Sequence, residues 1–194
     1  MKTLFLDTET TGLNSKYEEL VEISLIDDEG NVLIDTLLKP TKKTEWKQAQ
    51  SIHGISPDMV KDAPTFEDIA EELFTLINKP NQELVIYNAN FDMGFIGKAY
   101  YQHNLHEKRY GNVLSPRYYC GSRTGIEIQT RCCMLEFARY YGEWNEYRNS
   151  YAWKSLIFAA DLIGYEFEGT AHRALADTKA CRAVWRYLEK KHIF

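Results

Sequence analysis

The feature that most constrains the fold is a short apolar segment that runs directly into two acidic residues at the start of the chain. The segment from Lys2 to Asp7 predicts a strand, because it is short, apolar and ended by polar residues. Side chains alternate between the two faces of a strand, so Asp7 and Glu9 point to the same face. Neighbouring carboxylates repel each other unless they share a cation, and their oxygens suit Mg²⁺ or Mn²⁺. An isolated pair is more often simply solvated, so a metal site needs support from other acids.

Further acidic residues lie where helices are expected to begin. Glu83 to Tyr87 predicts a short buried strand, and Asp92 follows at the junction with the next helix. If His172 and Asp177 both lay on the last helix, their separation of five positions would rotate them about 140° apart. We therefore expect His172 on the loop before that helix and Asp177 about one turn inside it. Both side chains could then approach the same cleft.

The remaining pattern predicts one α/β domain over residues 1–194. The segments Leu20 to Asp27 and Val32 to Leu38 flank a turn and predict an antiparallel hairpin. Thr65 is expected to cap an amphipathic helix, with Asp68 three residues further on. Other helices are expected at about 91–102, 132–142, 151–163 and 173–191. Strands that come first and then mix with helices predict a central mixed β-sheet flanked by helices.

Composition narrows the classes of function. The chain has 194 residues and a formal net charge of -5, which argues against a protein that coats duplex DNA through many basic side chains. Its apolar runs are too short for a membrane helix or a signal peptide, so a cytoplasmic protein without a membrane partner is expected. The four cysteines include no C-x-x-C pair and predict neither a zinc site nor disulfides.

Five motifs then follow one another along the chain: DTETTGL at 7–13, Glu22 in the second strand, IHGI at 52–55, NANFD at 88–92 and HRALADTKA at 172–180. Together they resemble the DnaQ-like 3′-to-5′ exonucleases, in the subclass with a histidine in its third motif. The resemblance implies a ribonuclease H-like fold. It also implies metal-dependent hydrolysis that removes nucleoside monophosphates from the 3′ ends of single-stranded DNA or RNA. Tyr87 departs from the family, which often has a histidine there, and we expect this to alter packing only.

The resemblance also implies roles for individual residues. Two divalent ions, Mg²⁺ or Mn²⁺, would be held by four carboxylates, and a histidine would take the proton from the attacking water. These catalytic residues are Asp7, Glu9, Asp92, Asp177 and His172. The expected contacts with the terminal nucleotide come from Thr10, Thr11, Gly12, Leu13, His53, Asn88 and Phe91.

For some of these residues, the sequence is compatible with more than one role. Leu13 resembles an apolar wedge between the last two bases, whereas Phe91 is either a core residue, a stacking residue or both. Asn88 would orient a carboxylate or bind phosphate. Glu22 is either an acid close to the metals or a solvated strand residue.

An aromatic-rich segment at about 103–153 is left unexplained by the motifs. Aromatic residues are interleaved there with Arg117, Arg123, Arg131, Arg139 and Arg148. This composition fits a surface that binds single strands, and it also fits helix packing or a homodimer face. A polymerase or repair protein is a further expected partner. The alternative function is a non-catalytic nucleic-acid-binding or polymerase-docking module, and the five intact catalytic positions argue against it.

Overall fold

The computed structural model describes residues 2–102, 129–169 and 171–193, and its centre is a five-stranded sheet in the order β3-β2-β1-β4-β5. The strands are β1 (Lys2–Thr10), β2 (Leu20–Ile26), β3 (Val32–Leu37), β4 (Gln82–Ile86) and β5 (Gln129–Cys132). β1 pairs antiparallel with β2 and parallel with β4, while β3 pairs antiparallel with β2 and β5 pairs parallel with β4. The sheet is therefore mixed, as the sequence predicts, and β1 lies in its middle.

Helices flank this sheet in the described part of the chain. They are α1 (Lys47–His53), α2 (Pro57–Val60), α3 (Phe66–Ile77), α4 (Ala89–Gln102), α5 (Cys133–Tyr141), α6 (Leu156–Leu162) and α7 (Ala174–Lys190). A separate small hairpin consists of β6 (Trp144–Asn145) and β7 (Ser150–Tyr151). None of the described helices combines the length and apolar character needed to cross a bilayer.

Alternation along β1 determines which side chains face which helices. Leu6 belongs to a hydrophobic cluster with residues of α3 and α4, whereas Phe5 belongs to a second cluster with residues of α5, α6 and α7. Asp7 and Glu9 continue the spacing of Phe5, so they point towards the face covered by α7. Thr8 continues the spacing of Leu6 and points towards α4. A single strand thus supplies polar groups to both layers.

Several predicted elements are confirmed. β2 and β3 form the expected hairpin, and α3 begins after Thr65, whose backbone N–H donates to the Asp68 carboxylate at 2.7 Å. α7 begins at Ala174, so His172 lies on the loop before it and Asp177 lies in its first turn. The expected placement of this histidine and this acid is therefore correct.

Other boundaries differ from the prediction. β1 continues to Thr10 because β2 pairs with it as far as Leu20, so the two acids lie inside the strand and not at its end. The helix expected at 151–163 starts only at Leu156, because Tyr151 belongs to the small hairpin and the next four residues belong to neither element. β5 was not predicted, because its sequence QTRC has no alternation of apolar and polar residues. Residues 103–128 of the aromatic-rich segment lie outside the described part of the chain.

Candidate active site

Three of the four predicted metal ligands meet in one cluster. Asp7 and Glu9 come from β1, and Asp177 comes from the first turn of α7, which packs across the same face of the sheet. One ligand oxygen from each residue lies within 4.8 Å of the others. All three residues are half-buried. Oxygens this close can share a cation, and carboxylates are the ligands that Mg²⁺ and Mn²⁺ prefer.

Asp92, the fourth predicted ligand, lies next to this cluster but has a different environment. It is buried in the first turn of α4. Its Oδ1 accepts hydrogen bonds from the backbone N–H of Thr8 at 3.0 Å and from the Thr8 hydroxyl at 2.7 Å. Thr8 thereby fixes the Asp92 carboxylate against β1. Sequence analysis missed this role of Thr8, although its position between the two acids of the D-x-E motif places it on the α4 side.

Burial and neighbouring negative charges raise the pKa values of the four acids. Burial raises the pKa of Asp7, and the negative charges of Asp92 and Asp177 raise it further. Burial also raises the pKa of Glu9 to about 8 and that of Asp92 to about 7. The pKa of Asp177 is raised by burial, against the opposing effect of a hydrogen bond from His172. Buried, mutually repelling carboxylates retain protons near neutral pH, and a divalent cation would replace those protons.

These acids open into a cavity of about 180 Å³. Its lining comprises Asp7, Thr8, Glu9, Tyr87, Asn88, Phe91, Asp92, Leu156, His172 and Asp177. His172 is an exposed residue on the cavity wall with a φ of 63°, and its backbone N–H donates to Asp177 Oδ1 at 3.2 Å. The imidazole therefore stands beside the acid cluster and remains open to solvent. Leu156 on this wall was not identified from the sequence, because nothing in the chain pattern links α6 to the motifs.

Glu22 joins β2 to the start of α7. It is 4% exposed, and both of its carboxylate oxygens lie 3.1 Å from Nε of Arg173. The backbone N–H of Ala174 also donates to it at 2.9 Å. The interpretation of Glu22 as a solvated strand residue is therefore wrong. This ion pair, whose carboxylate is buried, fastens the N-terminus of the helix that carries Asp177, directly after His172.

The loop after β1 is held by its own hydroxyl groups. The Thr10 hydroxyl donates to the Gly12 carbonyl oxygen at 2.8 Å, and the Thr11 hydroxyl donates to the Glu18 carboxylate at 2.6 Å. A Cβ on Gly12 would lie 3.0 Å from Cγ of Glu18, so a larger residue there would require the Glu18 side chain to shift by a few tenths of an ångström. Leu13 projects from this loop with 83% of its surface exposed. The loop therefore presents an apolar side chain on a fixed backbone.

His53 is buried against the same loop. Its Nδ1 accepts a hydrogen bond from the Ile55 N–H at 3.0 Å, so Nε2 carries the proton and donates to the Thr10 carbonyl oxygen at 3.2 Å. Burial lowers the pKa of His53, which fits a neutral ring. In the described structure His53 thus supports the backbone at the end of β1.

The remaining predicted contact residues lie at the cavity. Asn88 is an exposed residue of its wall, and Phe91 is half-buried, with its ring 5.0 Å from that of Phe95. Phe91 therefore packs on the core and also borders the cavity. Tyr87 is buried, and its hydroxyl donates to the carbonyl oxygens of Lys154 and Ser155, each 3.0 Å away. This residue links β4 to the segment that precedes α6.

A mixed sheet flanked by helices, with acids clustered on its middle strand, defines a ribonuclease H-like fold. A family model described as Exonuclease, of the RNase T type, matches residues 4–184. An uncharacterized exonuclease of Escherichia phage 186 is 38% identical over 187 residues, covering 96% of this chain and 88% of that protein. The chain therefore belongs to the exonuclease family.

Two larger proteins are each similar to this chain over part of their own length. DNA polymerase III subunit epsilon of Buchnera aphidicola subsp. Schizaphis graminum is 37% identical over 108 residues, which cover 51% of this chain and 45% of that protein. Escherichia coli exonuclease I, in its zinc-bound complex with single-stranded DNA, has a TM-score of 0.72 at 21% identity, covering 98% of this chain and 40% of that chain. The chain spans less than half the length of either protein, and the second likeness concerns the fold alone.

Proposed function

We propose that the protein is a metal-dependent 3′-to-5′ exonuclease that removes nucleoside monophosphates from single-stranded DNA or RNA ends. One observation carries the proposal: Asp7, Glu9 and Asp177 place ligand oxygens within 4.8 Å of one another, in a cavity that His172 also lines. Membership of the exonuclease family supports this proposal. The similarity to a polymerase III epsilon subunit supports the 3′-to-5′ direction, and it also makes a polymerase a proposed partner.

The acid cluster fits divalent cations. Half-buried carboxylates with raised pKa values repel one another, and a doubly charged ion with a preference for oxygen ligands relieves that repulsion. Asp7, Glu9, Asp92 and Asp177 would hold two Mg²⁺ or Mn²⁺ ions. When bound, such ions promote formation of the water nucleophile and stabilise negative charge on the phosphate and the leaving oxygen.

His172 is proposed to be the general base. Its imidazole is exposed at the cavity wall, so it can accept a proton from a water beside the phosphate and pass it to solvent. The hydrogen bond from its backbone N–H to Asp177 fixes the distance between the loop and the acid cluster. This role corresponds to the histidine of the third motif in the subclass that the sequence resembles.

Recognition of a chain end is proposed for the loop of Thr10, Thr11, Gly12 and Leu13. The exposed Leu13 is suited to separate the terminal base from the next, because its backbone is held by hydroxyl bonds. His53 would support the backbone of this loop, while Asn88 and Phe91 would contact the nucleotide from the cavity wall.

The proposal is tested with single-stranded DNA and RNA oligonucleotides labelled at either the 3′ or the 5′ end. We expect immediate release of labelled mononucleotide from the 3′ end with Mg²⁺ or Mn²⁺, and no release in EDTA. Asp7→Asn should abolish this release, whereas the exposed Asp62→Asn should retain it as the matched control. Internal cleavage, release from the 5′ end first, or full activity of Asp7→Asn would contradict the proposal.

A further inference from the structure

Four aromatic rings with unusually large exposure lie on and next to the small hairpin. They are Trp144 at 46% exposure, Tyr147 at 98%, Tyr151 at 39% and Trp153 at 53%. We call these four rings together with Arg148 the hairpin surface. Large apolar side chains grouped on a surface commonly mark a binding site, because exposing them to water is unfavourable.

Two rings of the hairpin surface, Trp144 and Tyr151, are ordered by contact with each other. The Trp144 and Tyr151 rings face each other across the strand pair, edge to face, with centroids 5.3 Å apart. The Ala152 N–H donates to the Glu143 carbonyl oxygen at 2.7 Å and closes the base of the hairpin. At its tip, the Arg148 N–H donates to Asn145 Oδ1 at 3.0 Å. Rings that are already ordered lose little conformational freedom when a ligand stacks on them.

One cation of this surface is directed at an aromatic ring. The guanidinium of Arg148 lies 5.2 Å from the centroid of the Trp153 ring, and it forms no ion pair with the described part of the chain. Nearby Lys154 differs, because Glu143 pairs with it at 2.6 Å. Arg148 is therefore available to a negatively charged ligand that approaches the Trp153 ring.

The hairpin surface adjoins the cavity of the candidate active site. Leu156 lines that cavity, and it follows Trp153 by three residues. At no more than ~3.6 Å per residue, their Cα atoms lie within about 11 Å of each other. The Tyr87 hydroxyl fastens the intervening segment by its hydrogen bonds to Lys154 and Ser155. The short spacing therefore places Trp153 within reach of a strand that leaves the cavity past Leu156.

We propose that the hairpin surface binds the nucleotides that precede the 3′ end of a single-stranded substrate. This inference rests on the proposed exonuclease function. The flat face of each base would stack on an aromatic ring. Arg148 would contact the phosphates that link successive nucleotides. Stacking of this kind tolerates any base sequence, as an enzyme that removes successive nucleotides requires.

Arg131 does not belong to this surface, although its sequence context is the same. Its guanidinium lies 4.7 Å from the centroid of the buried Trp185 ring and 3.5 Å from the Glu136 carboxylate. Those contacts hold β5 against α5 and α7. Arg139 pairs with the Glu136 carboxylate at 3.0 Å. Among the described arginines of the aromatic-rich segment, Arg148 is therefore the one expected to contact substrate.

Binding can be measured without hydrolysis, because the hairpin surface contains two of the four tryptophans. Trp144 and Trp153 are exposed, whereas Trp46 and Trp185 are buried. In EDTA, oligothymidylates of graded length should quench the tryptophan fluorescence, and a dinucleotide should not. Trp153→Phe should remove most of the quenching. Equal quenching by the dinucleotide would overturn the proposal.

Two alanine variants test the contribution to affinity. Tyr147→Ala alters a side chain that is 98% exposed, and Trp153→Ala removes the ring that lies three residues before Leu156 in the chain. Each should weaken binding of long oligonucleotides between about 5- and 150-fold, the range expected for one stacked base, and leave dinucleotide hydrolysis unchanged. Val32→Ala, an exposed apolar residue on the distant strand β3, is the matched control and should change neither.

The two proposals fail in distinguishable ways. If both alanine variants bind long oligonucleotides like the unaltered protein while dinucleotides are still hydrolysed, the hairpin surface is not a substrate site and the exonuclease function stands. If these variants instead abolish a dimer seen by analytical ultracentrifugation and leave binding intact, the surface is a protein interface and this inference is wrong. Absence of hydrolysis of every substrate would overturn the proposed function itself.

Discussion

His172 combines an unusual backbone conformation with a proposed chemical role. Its φ of 63° lies in the left-handed region, which costs a non-glycine residue about 1–2 kcal/mol. This conformation turns the chain so that the His172 N–H reaches Asp177 while the imidazole borders the cavity. Residues in such conformations cluster at functional sites, because the surrounding structure must hold them there.

Replacement of His172 by asparagine separates the backbone conformation of this residue from its proposed role as a base. Asparagine tolerates the left-handed region but cannot act as the base, so His172→Asn should lower the rate of nucleotide release by about 10²- to 10⁴-fold. The thermal midpoint should stay close to that of the unaltered protein. His192→Asn is the matched control, because His192 has a φ of 54° near the end of the chain and lies outside the cavity. An unchanged rate for His172→Asn would remove the histidine from the mechanism.

Glu9 makes the stability of the metal-free protein depend on pH. Its pKa is about 8 in the folded protein and has an ordinary value of 4.5, so the folded state binds more protons than the unfolded state between these values. The free energy of unfolding therefore falls as pH rises through this window. In EDTA, the thermal midpoint should decrease from pH 5 to pH 8, and Glu9→Gln should flatten the decrease.

Metal addition provides the complementary measurement. Mn²⁺ replaces the protons of the acid cluster, so it should raise the thermal midpoint at pH 8 more than at pH 5. Glu29→Gln, in the exposed turn between β2 and β3, should leave both trends unchanged. A thermal midpoint in EDTA that rises between pH 5 and pH 8 would show that Glu9 is ionised in the metal-free fold.

At the scale of elements, the ion pair of Glu22 and Arg173 positions the start of α7 relative to β2. Glu22→Gln would leave the Arg173 guanidinium and the Ala174 N–H with a neutral partner, which weakens charge-assisted hydrogen bonds. We expect nucleotide release and Mn²⁺ affinity to fall roughly 10- to 100-fold, as is usual when a group that supports metal ligands is changed. Isothermal titration with Mn²⁺ and initial rates measure these two effects.

The same helix offers a control for this prediction. Lys179 of α7 pairs with Glu168 at 2.8 Å, and Glu168 is an exposed residue. Exposed pairs of this kind contribute little, so Glu168→Gln should leave Mn²⁺ affinity and rate unchanged. Suppose instead that Glu22→Gln and Glu168→Gln lower Mn²⁺ affinity and rate equally. Removal of either negative charge would then act through the electrostatic potential at the acid cluster, and not through the position of the helix.

Local pattern was sufficient to predict some elements and not others. Alternation and turn residues identified the β2–β3 hairpin, and the Thr65 cap identified α3, because these signals involve neighbouring residues. β5 could not be recognised, because its four residues are stabilised by pairing with β4 and by the Arg131 contact with Trp185. The role of Glu22 was also undetermined, since its partner Arg173 is 151 residues away in the chain.

At the scale of the whole molecule, the candidate site lies where the two hydrophobic layers meet across β1. Asp7 and Glu9 point towards α7, while Thr8 points to the opposite layer and binds Asp92 of α4. The sheet and its helices therefore bring together acids from three motifs that are far apart in the sequence. The motifs identified these acids, but the relation of the cavity to Leu156 and the hairpin required the fold. The expectation of one domain over residues 1–194 stays a prediction.

Tyr87 connects the cavity to the hairpin surface and thereby tests whether the two act together. It lines the cavity, and its hydroxyl donates to the carbonyl oxygens of Lys154 and Ser155. Tyr87→Phe removes these bonds and keeps the ring, so the acid cluster should be undisturbed while the segment that carries Trp153 loosens. Dinucleotide hydrolysis should remain unchanged, and the affinity for long oligonucleotides should fall about 3- to 10-fold, the loss expected for one hydrogen bond of ordinary strength.

A second tyrosine supplies the control for this last prediction. The Tyr140 hydroxyl lies 2.9 Å from that of Tyr187, between α5 and α7, and Tyr140→Phe removes a comparable hydrogen bond outside the cavity lining. This variant should bind long and short substrates like the unaltered protein. If Tyr87→Phe slows dinucleotide hydrolysis as strongly as it weakens long-strand binding, the hydroxyl supports the acid cluster itself. The change would then act on the chemical step, and the link between cavity and hairpin would carry no separate function.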